Sequence, residues 1–97
     1  MKLRFTRRAI QDLVGISAYL KPLNPAGAQR VRAAILDSIK ILTQFPGAGR
    51  LQDVEDIRKL VTRKYAYRIY YQVDVSADEI VIITVRHSSR SGEFEDA

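Results

Sequence analysis

His87 is the only histidine of the chain, and it lies in the run Val85-Arg86-His87-Ser88-Ser89-Arg90. An imidazole can give or take a proton near neutral pH. With it in the C-terminal half stand Lys59, Arg63, Lys64, Arg68, Arg86 and Arg90, interleaved with Tyr65, Tyr67, Tyr70 and Tyr71. Cations pair with phosphates and tyrosine rings stack on bases, so this set suits an RNA-binding surface. Cleavage of RNA by its own 2′-hydroxyl needs no metal. It needs a group to take the proton, cations to stabilise the phosphorane, and a group to protonate the leaving oxygen. His87 can perform one proton transfer, and Arg68, Arg86 or Arg90 can stabilise the charge. Lys59, Arg63, Lys64, Tyr67 and Tyr70 would hold the nucleic acid. Each part also has an ordinary structural role. Alternating tyrosines often face a core, and a histidine at a strand end often makes a structural hydrogen bond. Lysine and arginine beside a small sheet are usually solvated and blunt its edges.

Other chemistries have little to build on. There is no cysteine, which removes disulfides, thiol catalysis and cysteine-based zinc sites. One histidine is a poor start for a metal site, so neither metal nor cofactor is expected. The run Gly47-Ala48-Gly49-Arg50 lacks the preceding strand and following helix of a phosphate-binding loop. Asp12 and Asp37 fall on expected helices and read as surface or hairpin charges rather than a paired acid and base.

The elements that must position these residues follow from periodicity. Residues 2–5 read as a short first strand. Thr6 is a good helix N-cap, and Ala9, Leu13, Ile16 and Leu20 recur at helical spacing, widened by Ile10 and Val14. Pro22 ends this helix near Leu20. Asn24 caps a second helix and Pro25 suits its first position. There Ala28, Val31, Ile35, Ser38, Leu42 and Phe45 step by threes and fours, the seam of a helix packed lengthwise on another. The short loop between the helices predicts an antiparallel hairpin. Pro46, Gly47 and Gly49 stop the second helix.

The period then changes to two. Residues 57–62 and 65–75 read as strands, the latter with Tyr67, Ile69, Tyr71, Val73 and Val75 on one face. Residues 76–78 make a turn. Residues 80–85 are apolar on both faces, as suits a covered central strand. The expectation is an α+β domain: an N-terminal strand, an antiparallel two-helix hairpin, then a three-stranded antiparallel meander, forming one small sheet.

The chain has 97 residues, 46% of them apolar, and a formal net charge of +5. That is one domain, residues 1–97, with a polar tail at 91–97 expected to be mobile. No apolar run approaches a membrane span, and the N-terminus has charges where a signal peptide needs an apolar stretch. A soluble cytoplasmic protein with no membrane partner is expected. Acids gather at Asp53, Glu55 and Asp56, and again at Glu93, Glu95 and Asp96, leaving the remainder, residues 1–50 and 57–92, a basic body. Such a body favours a nucleic acid or an acidic protein segment as partner. An open sheet edge could also take an extended peptide as a strand.

The order of these pieces resembles the RelE/ParE superfamily of toxins over residues 3–90. The resemblance is carried by Ala9, Asp12-Leu13, Ile16 and Tyr19-Leu20, then Asn24-Pro25-Ala26, then Ile39, Leu42, Phe45-Pro46 and Gly49-Arg50. It continues through Ile57-Arg58-Lys59-Leu60, Tyr67-Arg68-Ile69-Tyr70-Tyr71 and Ile82 to Val85-Arg86-His87 and Arg90. It implies the toxin half of a type II toxin–antitoxin pair, held inactive by a cognate antitoxin whose acidic C-terminal segment folds on the toxin. Leu13, Ile16, Leu20, Val31 and Ile35 are the expected antitoxin-binding residues. Operator DNA would be met only through the antitoxin. The resemblance implies one of two targets. RelE-like members cut mRNA on the translating ribosome, which would give His87, Arg86, Arg90 and Arg68 catalytic roles. ParE-like members inhibit DNA gyrase. The long hairpin with its Asn-Pro-Ala turn looks ParE-like. The tail offers Phe94 rather than a proton-transferring tyrosine, with Glu93 and Glu95 beside it. Gyrase inhibition is therefore favoured over mRNA cleavage, and a non-toxic antitoxin-binding module is the third reading.

Overall fold

The computed structural model describes residues 1–54 and 56–87. The first strand, β1, is Lys2–Phe5, and helix α1 follows at Arg7–Leu20. Thr6 joins them. Its hydroxyl oxygen accepts the Ala9 amide at 3.1 Å, capping α1, and its hydroxyl donates to the Ile83 carbonyl at 2.7 Å. One side chain thus starts the helix and ties it to the sheet. Helix α2 spans Pro25–Gln44, with Asn24 accepting the Gly27 amide and Pro25 at the head, where no amide hydrogen is needed. It ends at Phe45, because the residue before a proline is driven out of the helical region.

Four strands follow: β2 at Arg50–Leu51, β3 at Ile57–Val61, β4 at Tyr67–Asp74 and β5 at Glu79–His87. They join β1 in one five-stranded sheet ordered β1-β5-β4-β3-β2. The meander β3–β4–β5 is antiparallel, and β1 lies parallel to β5. The sheet therefore has one strand more than sequence reading supplies. Strand β2 has two residues and no alternating pattern. The strand read as residues 65–75 is shorter, because Tyr65 and Ala66 are turn residues with left-handed backbone. That read as 80–85 is longer at both ends.

The hairpin covers one face of the sheet. Ala9, Val31, Ile35, Ile39 and Leu42 from the helices meet Tyr67, Ile69, Tyr71, Ile80, Ile82 and Val85 from β4 and β5. Each fully buried isoleucine or leucine among them contributes about 1.5–3 kcal/mol over leaving it in water. The seam of α2 differs from the expected one. Ile39 is fully buried, Ser38 is only half-buried, and Phe45 is 62% exposed. Helix α2 must face both its partner helix and the sheet, so its buried stripe drifts from a pure helix–helix seam.

Strand β5 contains a bulge. Tyr70 pairs with Thr84 and Tyr71 with Ile82, leaving Ile83 as the extra residue. A bulge shifts the alternation by one. Ile80 and Ile82 before it, and Val85 after it, can therefore all face the helices. Without it, the end of β5 would present the opposite set of side chains to the hairpin.

Candidate functional site

The end of the sheet where β4 begins and β5 stops gathers most of the residues with chemistry. Arg68 lies directly opposite Arg86 in the β4–β5 register, and Tyr67 opposite His87. Neighbouring residues on a strand point to opposite faces. Tyr67 belongs to the core on the helix side, and the exposed His87 ring meets it edge-on at 5.2 Å and 81°. His87 therefore lies on the helix side and the half-buried Arg68 on the outer face, while Arg86, half-buried and opposite Arg68 in register, also borders the groove beside α1. The four cationic and imidazole groups expected to act as one set are thus divided. Arg68 is turned away from the histidine, Arg86 borders the groove that His87 opens onto, and Arg90 lies outside the described residues.

His87 opens onto a groove of about 820 Å³ between α1 and the end of β5, whose walls include Asp12, Ile16, Tyr19 and Tyr67. A second groove, about 480 Å³, runs between α1 and α2 and includes Leu13, Ile16, Ile35, Lys21 and Arg32. Ile16 borders both. Among the described residues, no cluster of His, Asp and Glu could hold a metal ion.

Asp12, expected as a surface or hairpin charge, instead bonds to the sheet. Strand β1 ends at Phe5, beside Ile82, so nothing from β1 reaches the last residues of β5. The Asp12 carboxylate fills in. It accepts the Val85 amide at 3.0 Å and a short hydrogen bond from the Thr84 hydroxyl. A helix side chain thus takes over a strand's hydrogen bonding, and it does so immediately before Arg86 and His87. Apolar periodicity carries no sign of such a contact. The only sequence signal is an acid one helical turn before Ile16 on the core-facing side of α1.

The other expected site residues are dispersed. Lys59 is half-buried on β3, opposite Tyr70. Arg63 and Lys64 are exposed in the β3–β4 turn. Tyr67 is 7% exposed and reaches the first groove only in part. Tyr70 is fully buried and offers no ring face for stacking, which removes it from any nucleic-acid surface of this conformation. Leu13, Ile16 and Leu20 are half-buried along α1 and border the grooves. Val31 is buried inside the hairpin, at 7% exposure, and has little surface to give a partner. Ile35, at 1%, forms only the floor of the second groove.

A family model described as the ParE toxin of the type II toxin–antitoxin system parDE matches residues 3–92. The chain belongs to this family. The toxin is 32% identical over 87 residues to Y4kP of Sinorhizobium fredii, covering 90% of this chain and 88% of that one. Among solved structures it is similar to a chain of the chromosomal ParDE system of P. aeruginosa. There the identity is 28% and the TM-score 0.77, over 90% of this chain and 95% of that one. It is also similar to a chain of the RelBE2 toxin–antitoxin complex of Mycobacterium tuberculosis. That match has 27% identity and a TM-score of 0.63, over 89% and 95% of the two chains.

A further feature of this toxin is electrical. At the end of the sheet bearing Arg68 and Arg86, the β3–β4 turn adds Arg63 and Lys64. At the opposite end lie Asp53 and Asp56 before β3, Asp74 closing β4, then Asp78 and Glu79 opening β5. Arg4 pairs with Glu79 there at 3.5 Å, on the surface. Among the described residues, the meander is thus basic at one end and acidic at the other.

Proposed function

We propose that this toxin arrests growth by inhibiting DNA gyrase, and that a cognate antitoxin silences it with an acidic C-terminal segment laid along the helical hairpin. The observation that carries the target reading is the division of the cationic set by the sheet. A nuclease must bring a proton-transfer group and its charge stabilisers onto one phosphate. Here Arg68 lies on the outer face and His87 on the helix side, with Arg86 at the rim of the groove between them. The higher structural agreement with the ParDE chain than with the RelBE2 chain supports the same reading. For the antitoxin, the support is the pair of grooves flanking α1, apolar along Leu13, Ile16 and Leu20 and edged by Lys21, Arg32 and Arg86. An amphipathic acidic segment suits such a surface.

The second reading, cleavage of ribosome-bound mRNA, is favoured by the direct opposition of Arg68 and Arg86, which makes a concentrated positive site for a phosphate. Two assays with purified toxin decide between them. In a supercoiling assay, gyrase should be inhibited, inhibition should be relieved by antitoxin, and His87→Ala should inhibit as the parent does. In cell-free translation with mapped mRNA ends, transcripts should stay intact. Codon-positioned cuts, reduced about a hundredfold or more in His87→Ala, would overturn the gyrase reading. Harmless accumulation of folded toxin without antitoxin would leave only an antitoxin-binding module.

A further inference from the structure

The turn between β3 and β4 holds a strained backbone. Tyr65 and Ala66 have φ of 69° and 53°, the left-handed region that Gly, Asn and Asp enter readily and other residues enter at a cost. Hairpin turns needing this conformation ordinarily use those three residues. Buried Thr62 enforces the shape. Its hydroxyl donates to the Lys64 carbonyl at 2.6 Å and accepts the Tyr67 amide at 3.0 Å. The Tyr65 side chain remains 41% exposed, so part of its ring is open to solvent. The two residues before it, Arg63 and Lys64, are exposed cations.

We propose that this tip is a binding site for an unpaired nucleic-acid strand, with the Tyr65 ring stacked on a base and Arg63 and Lys64 paired to adjacent phosphates. An acidic peptide would use the cations but has no need of a part-exposed planar ring between them and the sheet. A base does need one, and every base offers a face to it. The track continues onto the sheet, because Arg68 follows one residue after Tyr67 and faces Arg86. The site takes DNA or RNA by the same chemistry and does not rest on either target reading.

Fluorescence anisotropy with the full toxin and short labelled single-stranded DNA, single-stranded RNA and duplex tests it. Both single strands should bind more tightly than the duplex, and the stronger of the two names the natural source. Tyr65→Phe should bind as the parent does. Tyr65→Gly removes the ring and also relieves the strain, so it should melt at a higher temperature yet bind about tenfold more weakly. Tyr65→Leu, which keeps the backbone cost and lacks a planar ring, should weaken binding to a similar degree. Arg63→Gln with Lys64→Gln should lower the salt slope of log affinity by about 1.4, for two phosphate contacts. Parental affinity in Tyr65→Gly and Tyr65→Leu, or tighter binding of duplex, would overturn the proposal. Loss of oligonucleotide binding in Tyr65→Gly with intact gyrase inhibition supports a site separate from the gyrase contact.

Discussion

Asp12 and Tyr71 show how single side chains hold this toxin's edges in place. The Asp12 carboxylate satisfies a strand amide and a buried hydroxyl together. Truncating it leaves both without an acceptor, and an unsatisfied buried donor costs about 1–3 kcal/mol. Asp12→Ala should therefore lower the urea midpoint by an amount in this range. The loss should concentrate at the end of β5, read as faster hydrogen exchange at the Val85 amide. Asp12→Asn keeps an acceptor oxygen and should lose less. Tyr71 is fully buried beneath the corner after α2. Its hydroxyl donates to the Pro46 carbonyl at 2.7 Å and accepts the Gly49 amide at 2.8 Å. Burial raises its pKa above the ordinary value of about 10, against smaller lowering effects of the Gly49 amide and the Arg58 charge. A raised pKa favours the protonated form in the folded state. The corresponding stability is fully present below the unfolded pKa and is lost as pH rises from about 10 through the folded value. Thermal melts across this range should fall more steeply for the parent than for Tyr71→Phe, whose melting temperature starts lower because it lacks the two hydrogen bonds.

At the scale of elements, the corner between α2 and β2 is where backbone and side chain fit most tightly. A Cβ on Gly49 would stand 2.6 Å from the Tyr71 ring and 2.9 Å from the Lys59 carbonyl oxygen. Neither can retreat, since the ring is packed in the core and the carbonyl belongs to a strand. Gly49→Ala should cost about 1–3 kcal/mol through overpacking, measured by chemical denaturation, whereas Gly47→Ala meets nothing within 4 Å and should be nearly neutral. Both helices were legible in the sequence to within a residue or so, because their signals are local: Thr6 and Asn24 as caps, Pro22 and Pro46 as stops. The meander was legible because its apolar residues alternate. What local pattern cannot carry was missed. Strand β2 exists only through pairing with β3. The turn at 63–66 contains no Gly, Asn or Asp to announce it. The bulge at Ile83 hides in an unbroken apolar run. The burial of Tyr70, on the face away from the hairpin, is likewise invisible to alternation, which reports which face a residue takes and not what covers it.

At the scale of the whole molecule, one sheet with helices on one face divides the surface by task. The hairpin side has grooves and apolar borders, and the outer face carries Arg68. The residue types of the site were readable from the sequence, but their arrangement was not, since Arg68 and His87 fall on opposite faces of the sheet and Arg86 stands at the rim between them. The polarity of the meander has a further consequence, for rates of encounter. A molecule whose meander is basic at one end and acidic at the other is turned by the field of a polyanion before contact, basic end first. Collisions are then oriented, and a larger share of them succeeds. Asp74→Asn and Asp78→Asn, balanced by Arg30→Gln and Lys40→Gln on the exposed side of α2 so that the net charge stays at +5, weaken the torque while leaving the contact surface untouched. Stopped-flow association with a polyanionic partner should then show a smaller fall in the on-rate between low and physiological salt than the parent's, which should be about tenfold or more. The dissociation rate should not change. The acids far from the contact would thus act as the tail of a compass needle, setting which end arrives first.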